Sequence, residues 1–298
     1  MFEGFTRTEI ETDGARIVTV HGGKGPPVLL MHGNPFTHVS WHRVAPVLAK
    51  EFTVVCTDLR GYGDSAKPEP VADHANYSFR AMAQDNVEVM VKLGFMHFAA
   101  AGHDRGARVL HRMCLDHPDK VTRAAIIDII PTHHLLNHVS RAWGLFSWHW
   151  FFMAQPADLP ERLMLADPEF YLRRKLSKGP AGMAFFAPEA FAEYLRCFKN
   201  PATVRGMCED YRATFGIDLA TDAADVAAGR RIDCPVLLLW GANGGVGRNH
   251  QPLAIWRDYA RNIVGAEALP AGHYVPEECP AETAAALRGF FASEPPRT

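Results

Sequence analysis

With 298 residues, of which 48% are hydrophobic and 21% charged, the chain has ordinary globular composition and the length for one large core plus an inserted lobe. A formal net charge of -2 supplies no basic field for nucleic acid, and no segment approaches 18 uninterrupted apolar residues, which argues against nucleic-acid and membrane-spanning roles. Residues 1–10 lack the basic-then-apolar pattern of a secretory leader, and Cys56, Cys114, Cys197, Cys208, Cys234 and Cys279 form no C-x-x-C pair, so we expect a cytoplasmic protein with reduced thiols and no structural zinc.

In chain order, apolar runs of strand length fall at residues 28–32, 53–57, 97–101, 124–128, 236–240 and 263–269. Their apolarity is continuous rather than alternating, which predicts strands covered on both faces: an α/β protein with a mostly parallel central sheet flanked by helices. Helical patterns at 41–50, 79–93, 105–117 and 281–292 lie between and after them. From 131 to 224 no strand run appears, while aromatic-rich helical stretches are punctuated by Pro and Gly. That predicts a core domain from residues 1–130 and 225–298 with a helical cap at 131–224.

The first run ends in His32-Gly33-Asn34-Pro35, a turn that can aim the Asn34 backbone N–H at a neighbouring strand end. The second ends in residues 58–65 (DLRGYGDS), whose glycines lack the following Lys-Ser/Thr of a phosphate loop. We read it as a tight structural loop.

The third run meets Gly102-His103-Asp104-Arg105-Gly106 and then a helix, the pattern of a nucleophile elbow. So sharp a strand-to-helix turn strains its central residue and crowds strand against helix, so the positions two before and two after must be small; Gly102 and Gly106 fill them. Asp104 stands at the apex where a serine hydrolase carries Ser. A helix N-terminus favours an ionised carboxylate, giving an oxygen nucleophile at neutral pH. The backbone N–H groups of Asn34 and Arg105 would form the oxyanion hole.

An ester formed on Asp104 needs a general base to activate water. His273, in a Gly-His pair on the loop after the last strand run, takes that place. The usual site for an orienting acid, after Trp240, reads Gly241-Ala242-Asn243-Gly244 and holds no carboxylate. Asp128, a charge inside Ala-Ala-Ile-Ile-Asp-Ile-Ile, is costly to bury unless paired, and is the expected partner of His273. Arg105 and Arg108 lie three apart in the first helical turn, where cations are disfavoured, so the pair calls for an anion; two guanidinium forks suit a small carboxylic acid.

The elbow with Ala107-Arg108, Asp128-Ile129-Ile130-Pro131-Thr132, Trp148-His149-Trp150 with Ala154-Gln155-Pro156, Cys208-Glu209-Asp210-Tyr211-Arg212 and Gly272-His273 resemble the fluoroacetate (haloacetate) dehalogenases of the α/β-hydrolase superfamily. The resemblance covers nearly the whole chain. It implies the α/β-hydrolase fold with a helical cap, and hydrolysis of a haloacetate to glycolate and halide with no metal or organic cofactor. It places Asp104 as nucleophile, Arg105 and Arg108 as carboxylate clamp and His273 with Asp128 as the water-activating pair. His149, Trp150 and Tyr211 become donors to the leaving halide, and a homodimer is implied. Donors of those three kinds suit fluoride, a poor leaving group whose developing charge must be met.

Two segments depart from the family pattern. Asn34 stands where an aromatic is usual, and HGNP is similar instead to haloalkane dehalogenases, in which that Asn helps hold halide. Residues 175–186 lack a Trp expected there. Two other functions compete: an epoxide hydrolase, which needs paired lid tyrosines, and a non-catalytic hydrolase-fold receptor that binds a ligand under the lid.

Overall fold

The computed structural model describes residues 1–177 and 182–293. Eight strands form one sheet: β1 (Thr6–Glu11), β2 (Arg16–Gly22), β3 (Pro27–Met31), β4 (Thr53–Thr57), β5 (Phe98–His103), β6 (Val121–Ile127), β7 (Val236–Gly241) and β8 (Ile263–Leu269). Their order is β1-β2-β4-β3-β5-β6-β7-β8. β3 to β8 run parallel, and β1 and β2 join antiparallel at one edge.

The apolar runs are continuous because successive side chains serve two cores. Leu29 and Met31 of β3, Val55 of β4 and Ile126 of β6 point into one core. Val28 and Leu30, Val54 and Cys56, and Ala125 and Ile127 point into the other. The first core is closed by the Phe79–Lys92 helix and by the helix after the elbow, Arg105–Asp116, through Ala107, Val109, Leu110 and Met113. The second is closed by Trp41, Leu48 and the Pro280–Ala292 helix through Leu287, Phe290 and Phe291.

Differences from the sequence reading have local causes. β1 (TRTEIE) is an exposed edge strand with little apolar content, so it gave no apolar run. The single helix expected at 41–50 is instead a 3-10 turn at His38–Trp41 and a short helix at Ala45–Leu48, with Pro46 in its first turn. β5 continues two residues past its predicted end, pairing Gly102 with Ile126 and His103 with Ile127, so the strand runs up to the elbow residue itself.

The loop at 58–65 is held by its own first residue. Asp58 accepts from the backbone N–H groups of His38 (2.7 Å) and Asp64 (3.0 Å), and its carbonyl accepts from Ser65 Oγ (2.7 Å). Between β6 and β7 the described chain is helical, including the Arg141–Phe146, His149–Met153, Pro188–Phe198 and Pro201–Ala213 helices. These helices rise over the carboxyl ends of the parallel strands, where loops converge in open α/β sheets. Among the described residues no helix is long and apolar enough to cross a membrane.

Candidate active site

The elbow is strained as its sequence requires. Asp104 has φ 50° and ψ −116°, a conformation that costs an L-residue energy and persists only where packing enforces it. A Cβ on Gly102 would lie 2.3 Å from the Gly106 carbonyl oxygen, and one on Gly106 would lie 2.4 Å from that of Met31. Only glycine allows strand and helix this close.

Asp104 Oδ1 accepts from the Asn34 backbone N–H at 2.8 Å, and Oδ2 lies 3.4 Å from His273 Nε2. The Arg105 N–H, at the first position of its helix, has no intrahelical acceptor. On the far side of the imidazole, His273 Nδ1 donates to Asp128 Oδ2 at 2.6 Å. Asp128 ends β6 at φ 54°, and its other oxygen accepts from the Gly241 N–H at 2.9 Å. The structure thus aligns Asp104, His273 and Asp128, three residues from three strand ends.

Charge in this line is strongly polarised. Burial works against the Asp104 carboxylate, but the hydrogen bond and charge of His273 hold its pKa well below the ordinary carboxylate value. Burial also opposes His273 protonation, yet the hydrogen bonds and charges of Asp104 and Asp128 push the imidazole up to about 9. The free site therefore holds an ionised Asp104 beside a protonated His273 at neutral pH.

In front of this line is a cavity of about 60 Å³, lined by Asp104, Arg108, Asp128, His149, Trp150 and His273, with Leu135, Trp143 and Val246 as apolar wall. At roughly 10–15 Å³ per water position, such a space takes a ligand of only a few heavy atoms. It adjoins a wider funnel of about 620 Å³, which shares Phe146, Gly245 and His273 with it and is bordered by Phe185 and Arg248.

Arg105, Tyr211 and Asn34 stand outside this wall. Arg105 is fully buried, stacked between the rings of Phe79 (4.7 Å) and Tyr211 (4.4 Å), and ion-paired to Asp210. Tyr211 packs against Trp150 at 5.5 Å and His149 at 6.0 Å between ring centroids. Burial and the Asp104 charge keep its phenol protonated, so it remains a donor. The Asn34 side chain turns to the Tyr62 hydroxyl, Nδ2 donating at 3.4 Å. Of the divergent segment 175–186, residues 178–181 lie outside the described residues.

A family model described as the alpha/beta hydrolase fold matches residues 26–279. The chain belongs to the alpha/beta hydrolase fold family. Within it, a fluoroacetate dehalogenase from Burkholderia sp. is 45% identical, over 98% of this chain and 95% of the relative. A soluble epoxide hydrolase from Corynebacterium sp. (strain C12) is 32% identical, over 96% and 97%. Among solved structures, a chain from Nostoc sp. PCC 7120, named provisionally as an alpha/beta hydrolase, superposes with a TM-score of 0.96 at 50% identity, covering 99% of this chain and 100% of its own. The resemblance to fluoroacetate dehalogenases drawn from the motifs agrees with the first of these, and the protein is an enzyme of the alpha/beta hydrolase type.

Three residues of the site were given no role by the sequence reading. His103, kept neutral by burial with a pKa pulled down to about 4, donates from Nε2 to the His273 carbonyl at 2.7 Å and fixes the loop that carries the imidazole. Its place inside the elbow was the available signal. Asp210 and Tyr62 sit behind Arg105, and Tyr62 donates to Asp210 Oδ2 at 2.6 Å across 148 positions of sequence. No local pattern announces that contact.

Proposed function

We propose that the enzyme hydrolyses a haloacetate, with fluoroacetate the first substrate to try, to glycolate and halide through an ester on Asp104. The observation that carries this reading is a cavity for a few heavy atoms bounded at once by a carboxylate–imidazole–carboxylate line, one guanidinium and two N–H-bearing rings. The 45% identical fluoroacetate dehalogenase supports it.

In the first step an Asp104 oxygen attacks the halogen-bearing carbon, the carbon–halogen bond breaks, and the halide leaves with the bonding pair. The acid's carboxylate is held at Arg105 and Arg108. His149 and Trp150, from the wall, and Tyr211, pressed against both rings, donate to the departing halide, which matters most for fluoride. Esterification removes the Asp104 charge that had raised the His273 pKa, so the imidazole can give up its proton and act as a base.

In the second step water attacks the Asp104 carboxyl carbon, His273 takes its proton, and Asp128 stabilises the imidazolium. The N–H groups of Asn34 and Arg105 meet the oxyanion. Glycolate leaves carrying an original Asp104 oxygen, and one proton is released per turnover. Single-turnover reaction in ¹⁸O-water tests this: label is expected in Asp104 and little in the first glycolate, while label directly in that glycolate means unassisted water attack. A fluoride electrode reading on fluoroacetate, beside chloroacetate and styrene oxide, tests the substrate.

Epoxide hydrolysis is the second reading, favoured by the 32% identical relative. It requires a pair of tyrosine hydroxyls to protonate an epoxide oxygen; the residues lining the cavity include no tyrosine, and Tyr211, packed behind His149 and Trp150, supplies one hydroxyl rather than two. Turnover of styrene oxide without halide release from haloacetates would select it. We further take residues 131–224 as the cap domain over a core of 1–130 and 225–298. A homodimer is proposed as well: among the described residues, half the exposed large hydrophobic side chains lie between 145 and 170, including Leu145, Leu163 and Phe170.

A further inference from the structure

The loop that carries His273 is held from two sides. On one, His103 Nε2 donates to the His273 carbonyl at 2.7 Å. A trans peptide points its C=O and N–H in opposite directions, and the N–H of that same unit, on Tyr274, donates to Glu278 Oε1 at 2.9 Å. The Gly272 N–H donates to Glu278 Oε2 at 2.7 Å. One carboxylate therefore clips both N–H groups that flank His273, opposite His103.

Glu278 ends the four-residue helix Val275–Glu278, and its own N–H returns to the Tyr274 carbonyl at 2.8 Å, so Tyr274 and Glu278 exchange hydrogen bonds in both directions. Its side chain lies on the funnel wall beside His273, where a carboxylate would ordinarily face water or a cation. Among the described residues no cation pairs with it, and each oxygen takes a backbone donor instead. Gly272 makes the room: a Cβ there would lie 3.0 Å from Oε1 and 3.1 Å from Oε2. The adjacent Glu277 turns to the cap, accepting from Arg43 Nη2 at 2.9 Å and from the Tyr194 hydroxyl of the Pro188–Phe198 helix. Two neighbouring carboxylates on one turn thus hold different things, one the cap and the other the His273 loop.

We propose that Glu278 is a positioning residue for ester hydrolysis: by clamping the peptide after His273 from the side opposite His103, it keeps Nε2 where it can take a proton from the attacking water. This rests on the haloacetate reading for its two-step reaction. The steps place unequal demands on the loop. Displacement needs the Asp104 carboxylate, which the Asn34 N–H holds independently. Hydrolysis needs imidazole and water aligned together, and misplacing a catalytic group by about 1 Å can cost on the order of 10²-fold. Damage to the clip should appear in the second step and spare the first.

The test is rapid-quench chloride release from chloroacetate by the full-length enzyme, with intact-protein mass spectrometry of the quenched samples. Glu278→Gln keeps the side chain's size but sets an amide NH2 against one of the two N–H donors. It should release a burst of about one chloride per active site and then turn over at least tenfold more slowly than wild type, with the carboxymethyl ester accumulating on Asp104. Its kcat/KM, which reports only steps up to carbon–halogen cleavage, should stay within about threefold, so KM falls with kcat. Gly272→Ala displaces the same carboxylate from the other partner and should give the same burst, so the result does not hang on one variant folding. Glu277→Gln, which disturbs the cap contacts of the same helix, should accumulate no ester. Loss of kcat and kcat/KM together without ester, an unaltered kcat in Glu278→Gln, or equal ester in Glu277→Gln overturns the proposal. Failure of the haloacetate reading looks different: wild type would release no halide, while the downfield proton resonance of His273 Nδ1–H should still broaden in Glu278→Gln as the loop loosens. An unchanged resonance there overturns the clamp as well.

Discussion

His273 Nδ1 donates to Asp128 at 2.6 Å, and Asp128 sits at the end of β6, one strand before the loop where an orienting acid is usual in this fold. The post-β7 loop contributes a backbone donor instead, the Gly241 N–H on the other Asp128 oxygen. Asp128→Asn removes the acceptor that orients and charges the imidazole. We expect kcat to fall by about 10³ to 10⁴, the order seen when a triad acid is made neutral, with KM little changed. A loss below tenfold in steady-state halide release would assign the orientation to another group.

His273→Asn should separate the two steps. Displacement needs Asp104 but no base, whereas ester hydrolysis needs the imidazole. Intact-protein mass spectrometry after chloroacetate treatment should then show a stable species heavier by one carboxymethyl group, located on the peptide containing Asp104. Unmodified protein together with normal turnover would rule the ester out.

Stability should carry a pH signature of the same histidine. Its folded pKa of about 9 lies above the ordinary value of 6.5, so the protonated form is favoured by folding. The stabilisation is fully present below about pH 6.5 and disappears as pH rises through 9, with an amplitude on the order of 3 kcal/mol. Urea midpoints of wild type and His273→Gln should therefore converge between pH 6.5 and 9. Asp104 has the opposite sense: its depressed pKa gives stability above its unfolded value that is lost only in strong acid. A constant gap between the two proteins across the alkaline range would contradict the Asp104–His273 charge pair.

Trp150→Phe keeps a ring against the Arg108 guanidinium but deletes the indole N–H. Removing one donor aimed at developing charge typically costs about 10² to 10³ in rate. Fluoroacetate should suffer that loss, and chloroacetate, with the better leaving group, much less. Equal losses on the two substrates would mean that Trp150 shapes the pocket rather than assisting departure.

Gly102→Ala places a methyl 2.3 Å from the Gly106 carbonyl oxygen, a backbone atom with no freedom to retreat. Strand and helix must separate, and overpacking of this kind costs about 1–3 kcal/mol or more. The thermal midpoint should drop and activity with it; an unchanged midpoint would show that the elbow has slack.

What the sequence disclosed was whatever the chain repeats locally or places at odds with its surroundings. The elbow is a contiguous stretch with a glycine two positions to either side of Asp104, and Asp128 is a charge within an apolar run, so both were visible as chemistry out of place. β3 to β7 were visible because each strand is covered on two faces. The run at 263–269 also proved a strand, β8, though it lies at the other edge and is largely exposed rather than covered on both faces, while β1, with little apolar content, and β2, interrupted by Thr19 and His21, went unread. Asp210 and Tyr62 were not visible either, since their meeting with Arg105 depends on the Pro201–Ala213 helix being laid across the sheet by the fold. The sequence reading paired Arg105 and Arg108 by their spacing; that Asp210 grips the one and the Ile130 carbonyl the other is set by distant parts of the chain.

The ion pair between the Pro201–Ala213 helix and the elbow helix also constrains traffic. Raising that helix to admit a ligand would tear Arg105 from Asp210 inside a dry interior, an opening too expensive to repeat at every turnover. Reactant and product must then pass sideways, along the 620 Å³ funnel beside His273 and beneath Phe146, so the roof stays shut while a side door handles the exchange.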